Sequence, residues 1–183
     1  MNHDPDLQQQ QNQQTYLLLE KSNVVDVRQT LYQHENAPQW VPLFAGTQWA
    51  VYMGESPTLI QAHPKSSIFK WAIGAMANSD SLRGLIVESP GELDVVADWS
   101  RQRLTVNFDE SRTGLLRFYD PLVWEALAPQ CLDNPAAVTR VHYWQEHAGN
   151  GGWAFSDNPE FVIPGNPAKL DKARANAIRR VRA

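Results

Sequence analysis

Short apolar runs alternate with amphipathic stretches through the first hundred residues of the chain. Continuous apolar runs predict buried strands at 16–19, 58–62 and 84–88. Between these runs, apolar residues recur at helical spacing in 24–34 and in 67–78. Because strands alternate with helices and the strand runs have no polar side, we expect a sheet covered on both faces.

Polar patterns indicate where the predicted helices begin. Asn23 is the predicted N-cap of the first helix, since a short polar side chain there can accept a backbone N–H. The Ser-Pro-Gly-Glu stretch at 89–92 has the pattern of a capping box and places Pro90 at the first position of a third helix. Trp99 lies outside the apolar face of that helix. This face is formed by Leu93, Val96 and Ala97.

Two β-rich runs, 104–108 and 115–119, flank a polar segment and predict a hairpin with a long loop. If 115–119 is a strand, Arg117 and Tyr119 share one face and Phe118 lies on the other. Asp120 and Pro121 then begin a helix, because the carboxylate can accept N–H groups and proline suits the first turn.

The C-terminal part of the chain is polar and rich in turn residues. A last strand is predicted at 138–145, and the glycine-rich stretch 149–152 is interpreted as a flexible break. A helix is predicted over 167–182, within a tail (167–183) that carries six basic residues against one acidic residue. Such a basic amphipathic helix either docks on its own domain or binds a membrane surface, a nucleic acid or a partner.

These elements predict an α/β fold with a mixed sheet flanked by helices and a short irregular or helical C-terminal extension. We divide the chain into a disordered Gln-rich leader at 1–15, an α/β domain at 16–146, and an irregular segment with the basic helix at 147–183.

Composition narrows the functional classes. The 183 residues carry a formal net charge of −4, which argues against a general nucleic-acid binder. A single cysteine excludes an internal disulfide framework and a cysteine-rich zinc site. The N-terminus has no apolar run typical of a secretory signal, and the longest uncharged stretch, 36–54, contains two prolines. We therefore expect a soluble, cytoplasmic protein without a membrane partner.

The residues that could carry catalysis do not form a recognisable motif. Cys131 has no surrounding cysteine motif, and His142 and His147 would point to opposite faces of a strand, which is poor spacing for a metal site with Glu146. We expect no cofactor, no metal and no enzymatic activity. A small α/β hydrolase or transferase stays open as an alternative, and it would need a pocket in which His142 or His63 meets Cys131, a serine or an acid.

Aromatic residues between 40 and 53 are the candidates for recognition of a partner. Segment 40–44 is a predicted edge strand because Pro42 cannot donate to a ladder, and a Gly-Thr turn follows it. Large rigid aromatic side chains beside prolines and turns suit protein interfaces. The candidates for partner binding here are Trp40, Phe44, Trp49 and Tyr52.

The most specific feature is the segment 114–127, in which Arg-Phe-Tyr-Asp-Pro runs into a helix. It resembles the signature of the type VI secretion adaptor-chaperone family, whose small bacterial members link an effector toxin to the VgrG spike. Segments 16–20 and 84–89 also resemble the family, and the resemblance spans about 16–146.

This resemblance implies a non-enzymatic adaptor that binds the N-terminal region of an effector toxin and docks it on the VgrG spike. Arg117 and Tyr119 of the signature join the candidates for partner binding, whereas Asp120 and Pro121 are expected to be structural. The sequence leaves a second alternative open, a nucleic-acid or membrane-surface binder that uses the basic tail, although we expect no nucleic-acid partner.

Overall fold

The computed structural model describes residues 13–78, 81–108, 112–127, 137–147, 150–159, 168–169 and 175–176. The strands are β1 (Gln14–Leu19), β2 (Trp40–Pro42), β3 (Thr58–Gln61), β4 (Gly84–Ser89), β5 (Thr105–Asn107), β6 (Thr113–Leu115), β7 (Arg140–His147), β8 (Asn150–Asp157) and β9 (Ala168–Lys169). The α-helices are α1 (Val27–His34), α2 (Ser67–Met76), α3 (Leu93–Arg101) and α4 (Pro121–Leu127), and a 3₁₀ helix spans Gln48–Glu55.

The main sheet has six strands in the order β2-β3-β1-β4-β7-β8, and every neighbouring pair in it is antiparallel. A small sheet in the order β6-β5-β9 combines an antiparallel pair with a parallel one. The predicted α/β class is confirmed, and β2 lies at the sheet edge, as the proline in it predicted.

Both faces of the main sheet are covered over its central strands. One cluster packs α1 and α2 against side chains of β1, β3 and β4, including Leu17 and Ile86. The other cluster packs α3, α4 and the β5–β6 hairpin against the opposite face, including Leu18 and Val87. Alternate residues of one strand therefore enter two separate cores, which explains why β1 is apolar without interruption.

Two helix starts differ from the prediction. Helix α1 begins at Val27 with Asp26 as its N-cap, whose side chain accepts from the Gln29 N–H at 3.0 Å, so Asn23 is not the cap. The predicted capping box at 89–92 is also wrong. Ser89 ends β4, and its hydroxyl donates to the carbonyl of Ala137 and accepts the N–H of Gly91 at 2.9 Å. Helix α3 starts only at Leu93, after Glu92, whose side chain makes no cap bond.

Four further expectations are corrected. Strand β6 ends at Leu115, so 117–119 form a turn before α4 rather than a strand with two faces. Trp99 is buried in the core beside Phe118, with the two ring centroids 6.0 Å apart. Residues 150–152 of the predicted glycine-rich break instead begin β8, and 168–169 form β9 where a helix was predicted. Most of the predicted C-terminal helix and residues 1–12 of the leader lie outside the described residues.

Candidate functional site

A groove of about 760 Å³ opens between the end of β1, the 3₁₀ helix and the turn that precedes α4. Five residues predicted to bind a partner line this groove, namely Phe44, Trp49, Tyr52, Arg117 and Tyr119. They come from three separate parts of the sequence, and the sheet topology brings them together. The groove also contains charged residues that the sequence did not single out.

The 3₁₀ helix forms the aromatic wall of the groove. Its N-cap Thr47 accepts the N–H of Trp49 at 3.1 Å, which fixes the first turn. The indole N–H of Trp49 then donates to the hydroxyl of Thr105 at 3.1 Å, and Gln48 donates to the same hydroxyl at 2.9 Å. The wall is thereby tied to strand β5, although its backbone turns away from helical geometry at Tyr52.

The aromatic residues of the groove differ in what they offer to a partner. Tyr52 is 58% exposed and Trp49 is half-buried, so both present surface to a bound chain. Phe44 and Tyr119 are buried and form the floor beneath them. Of the four predicted aromatic residues in the groove, two can therefore touch a partner and two shape the surface that the partner meets.

Charged side chains lie on the floor of the groove, on the side opposite the aromatic wall. Glu20, directly after β1, forms a salt bridge with Arg117. Arg117 Nη2 also lies 3.9 Å from Asp120 Oδ2, and Arg83 Nη1 approaches the same oxygen at 3.4 Å. Asp120 is buried and does not line the groove, so a partner meets the carboxylate of Glu20 together with the guanidinium groups of Arg117 and Arg83.

The pKa values in this network follow from burial. Burial raises the pKa of Glu20, and the neighbouring guanidinium of Arg117 opposes that rise. Burial also raises the pKa of Tyr119, and the negative charge of Glu20 adds to the effect. The phenol of Tyr119 therefore stays protonated at neutral pH and remains a hydrogen-bonding group rather than a base.

An exposed ion pair lies at the rim of the groove. Lys21 Nζ and Glu55 Oε1 are 2.7 Å apart and join the end of β1 to the end of the 3₁₀ helix. Exposed pairs of this kind contribute little to stability, so this contact can open at low cost when a partner enters.

Asp120 has the capping role that the sequence predicted. Its Oδ1 accepts the N–H of Leu122 at 3.0 Å, and its backbone carbonyl accepts the N–H of Trp124 at 2.9 Å. Pro121 is the first residue of α4. The same carboxylate thus begins the helix and anchors the charged floor of the groove.

The model of the family described as "Domain of unknown function (DUF4123)" matches residues 15–137, about two thirds of the chain. The chain belongs to the DUF4123 family. This family is known for adaptors and chaperones of type VI secretion effectors. No curated protein and no solved structure matches the chain.

Every residue that lines the groove lies inside the DUF4123 match, whereas β7 and β8 lie beyond it. The groove is thus built from the part of the chain that defines the family. Trp40, the remaining predicted partner-binding residue, lies elsewhere on edge strand β2. Its indole N–H donates to the hydroxyl of Tyr32 at 3.3 Å, and the guanidinium of Arg28 lies 5.1 Å from its ring centre.

The residues considered for catalysis lie either apart from the groove or outside the described residues. His142 Nε2 lies 2.6 Å from Glu88 Oε1 on the neighbouring strand, so this histidine does meet an acid, but neither residue lines the groove. His63 is exposed, and its Nδ1 accepts the N–H of Lys65. Cys131 and the side chain of His147 lie outside the described residues. In the part of the chain that the structure describes, no three or more His, Cys, Asp or Glu residues gather as metal ligands.

Among the described helices, none combines the length and the apolar character needed to cross a bilayer.

Proposed function

We propose that this protein is an adaptor-chaperone of the type VI secretion system. In this proposal it binds the N-terminal region of an effector toxin and presents that toxin to the VgrG spike by protein–protein contacts. Membership of the DUF4123 family supports the general role. The observation that carries the proposal further is the groove, in which five residues predicted for partner binding line one surface.

The groove suits a polypeptide better than a small charged molecule. Its two sides differ, since Trp49 and Tyr52 supply aromatic surface and the Glu20–Arg117 pair supplies charged groups that cancel. A polypeptide segment carries both apolar side chains and backbone hydrogen-bonding groups, so it can satisfy both sides at once. Aromatic anchors at the centre of an interface account for most of its binding energy.

The chemistry of the groove favours binding over catalysis. Four of its charged groups form two ion pairs, Glu20 with Arg117 and Lys21 with Glu55. The phenol of Tyr119 is protonated near neutral pH even at its ordinary pKa, and burial raises that pKa further. We therefore propose a non-enzymatic role, in which shape and aromatic contact select the cargo.

Co-expression tests this proposal directly. The full chain would be produced with the effector and the VgrG protein encoded by neighbouring genes, and complexes would be separated by size-exclusion chromatography. We expect the chain to elute with the effector and, when all three are present, in a ternary complex. Separate elution of the chain from both proteins would overturn the proposal.

A further inference from the structure

Among the described strands, β8 is the last of the main sheet, and one of its backbone edges pairs with no other described strand. Within the described segments, β7 is the strand that pairs with it. The N–H of Asn158 donates to the carbonyl of Thr139 at 2.8 Å, and the register between the strands is unbroken. Because hydrogen-bonding direction alternates along an antiparallel strand, even-numbered residues of β8 face β7. The N–H and C=O groups that point outward belong to Gly151, Trp153, Phe155 and Asp157.

The same strand exposes two aromatic side chains on one face. Trp153 is 37% exposed and Phe155 is 55% exposed. Because they are two residues apart on one strand, both side chains lie on the same face of the sheet, which is the face away from α3 and α4. Trp144 packs against Trp153 in an edge-to-face contact, with the ring centres 5.5 Å apart. Arg140 packs against Phe155, with its guanidinium 4.6 Å from the centre of the Phe155 ring.

Besides covering an edge strand with a helix or loop, natural sheets protect it by features of the strand itself, such as lysine, proline or a bulge. Strand β8 has none of these between Asn150 and Asp157, and its pairing with β7 shows no bulge. Its one charged residue, Asp157, is already paired with Arg140 at 2.6 Å. An eight-residue edge of this kind is suited to pairing with another strand.

We propose that the strand added to β8 is β8 of a second copy of this chain. The two strands would run antiparallel about a two-fold axis at Ala154, which joins two six-stranded sheets into one. Outward-facing residues then meet outward-facing residues, with Trp153 opposite Phe155 of the second copy and Gly151 opposite its Asp157.

This register makes the strand complementary to itself. Each exposed aromatic residue gains an aromatic partner across the axis, which is a favourable cross-strand pair. The two Asp157 carboxylates stay apart, because each lies opposite a glycine. A shift by two residues in either direction would leave Trp153 opposite Asp157 or Phe155 opposite Gly151, so neither alternative pairs both aromatic residues.

Sedimentation equilibrium of the full chain tests the proposal. We expect a species of twice the 20.7 kDa chain mass that dissociates on dilution. Phe155→Lys places a charge at the pairing edge and should raise the dimer dissociation constant about tenfold or more. Phe108→Lys is the matched control, since Phe108 is 51% exposed on the β5–β6 hairpin, and it should change that constant less than about twofold.

A chain that stays monomeric at all concentrations overturns the proposal, as does a dimer that Phe155→Lys leaves unchanged. After either result, the occupant of the β8 edge to test next would be an extended strand of a different protein.

A cysteine placed on the axis tests the register itself. In a Cys131→Ala background, Ala154→Cys would bring two thiols face to face at a non-hydrogen-bonded position, where opposite Cα atoms are about 4.5 Å apart. Mild oxidation should give a disulfide-linked dimer of Ala154→Cys, whereas Gly152→Cys in the same background should stay monomeric on a denaturing gel. Equal cross-linking of both variants, or of neither, would contradict the proposed pairing. This result does not depend on whether an effector binds the groove.

Discussion

Glu20 and Arg117 are 97 residues apart in sequence and form a salt bridge on the floor of the groove. Glu20 follows the central strand β1, and Arg117 belongs to the turn that links β6 to α4. Their contact therefore fixes the Arg-Phe-Tyr-Asp-Pro segment, which resembles the family signature, against the main sheet. Because the side chain of Glu20 is mostly buried, its charge depends on this partner more than a surface carboxylate would.

Replacing Arg117 with alanine should raise the pKa of Glu20 further. The guanidinium lowers that pKa by its charge and by its hydrogen bond, so its loss leaves burial unopposed. The free energy of unfolding at pH 7 should fall by about 1–2 kcal/mol, between the values for surface and buried pairs. Carboxyl NMR titration and urea unfolding measure the two effects.

The rim cation Lys21 provides the control for that variant. Lys21→Ala breaks an exposed pair and should change the free energy of unfolding by less than about 1 kcal/mol. An equal loss of stability in both variants would contradict the structural role assigned to Arg117.

The raised pKa of Glu20 also predicts a pH dependence. Since this carboxyl binds its proton more tightly in the folded state, its contribution to stability is complete below the ordinary value of 4.5 and is lost as pH rises through the folded pKa. Glutamine cannot titrate, so the stability of wild type relative to Glu20→Gln should decrease as pH rises from 4 to about 7. Urea unfolding across this range measures the difference, and a difference that increases with pH would refute the assignment.

Asp120 combines two roles that substitution can separate. Asp120→Ala removes the cap of α4 together with the ion pairs, and we expect a loss of about 1–2 kcal/mol in the free energy of unfolding. Asp120→Asn keeps a side chain that can accept the Leu122 N–H, so it should lose clearly less. Chemical denaturation checks this order, and equal losses would show that capping contributes nothing measurable.

Two glycines of the described fold should respond to alanine in opposite directions. A Cβ on Gly84 would lie 2.5 Å from the carbonyl oxygen of Leu18, so Gly84→Ala must shift β4 against β1 and should lose about 1–3 kcal/mol of stability. A Cβ on Gly74, exposed in α2, meets nothing within 4 Å, and Gly74→Ala should gain about 0.5–1 kcal/mol. Thermal unfolding compares them, and a stable Gly84→Ala protein would contradict the close packing of the two strands.

The sequence predicted the elements whose residues carry a strong local signal. Strands β1, β3 and β4 are continuous apolar runs because both faces of the central sheet are covered. The cap at Asp120 and the helix after it also follow from neighbouring residues. The charged floor could not be predicted in the same way, because Glu20 is an ordinary acid after a strand until the topology brings Arg117 to it.

The errors have physical causes as well. Strand β8 was missed because its Asn-Gly-Gly start resembles a turn, and because an edge strand with exposed aromatic residues lacks the usual apolar alternation. The capping box at 89–92 failed because strand β4 continues as far as Ser89, whose hydroxyl oxygen accepts the N–H of Gly91 at 2.9 Å and whose O–H donates to the carbonyl of Ala137, a residue 48 positions away. The contact of Ser89 with Ala137 is long-range, whereas β8 pairs with β7, the strand that precedes it directly in the sequence.

Binding of a polypeptide by the groove is the central claim, and Tyr52 is the residue that tests it best. Tyr52 is 58% exposed at the groove, whereas Tyr32 is 56% exposed on α1 and does not line it. Trp49 is a poorer probe, because its hydrogen bond to Thr105 also holds the wall in place.

The deciding measurement is calorimetric titration of the purified chain with the N-terminal region of the effector encoded beside it. We predict that Tyr52→Ala weakens binding about tenfold or more and that Tyr32→Ala changes it less than about twofold. Equal binding by wild type and Tyr52→Ala, or no binding by wild type, would contradict it.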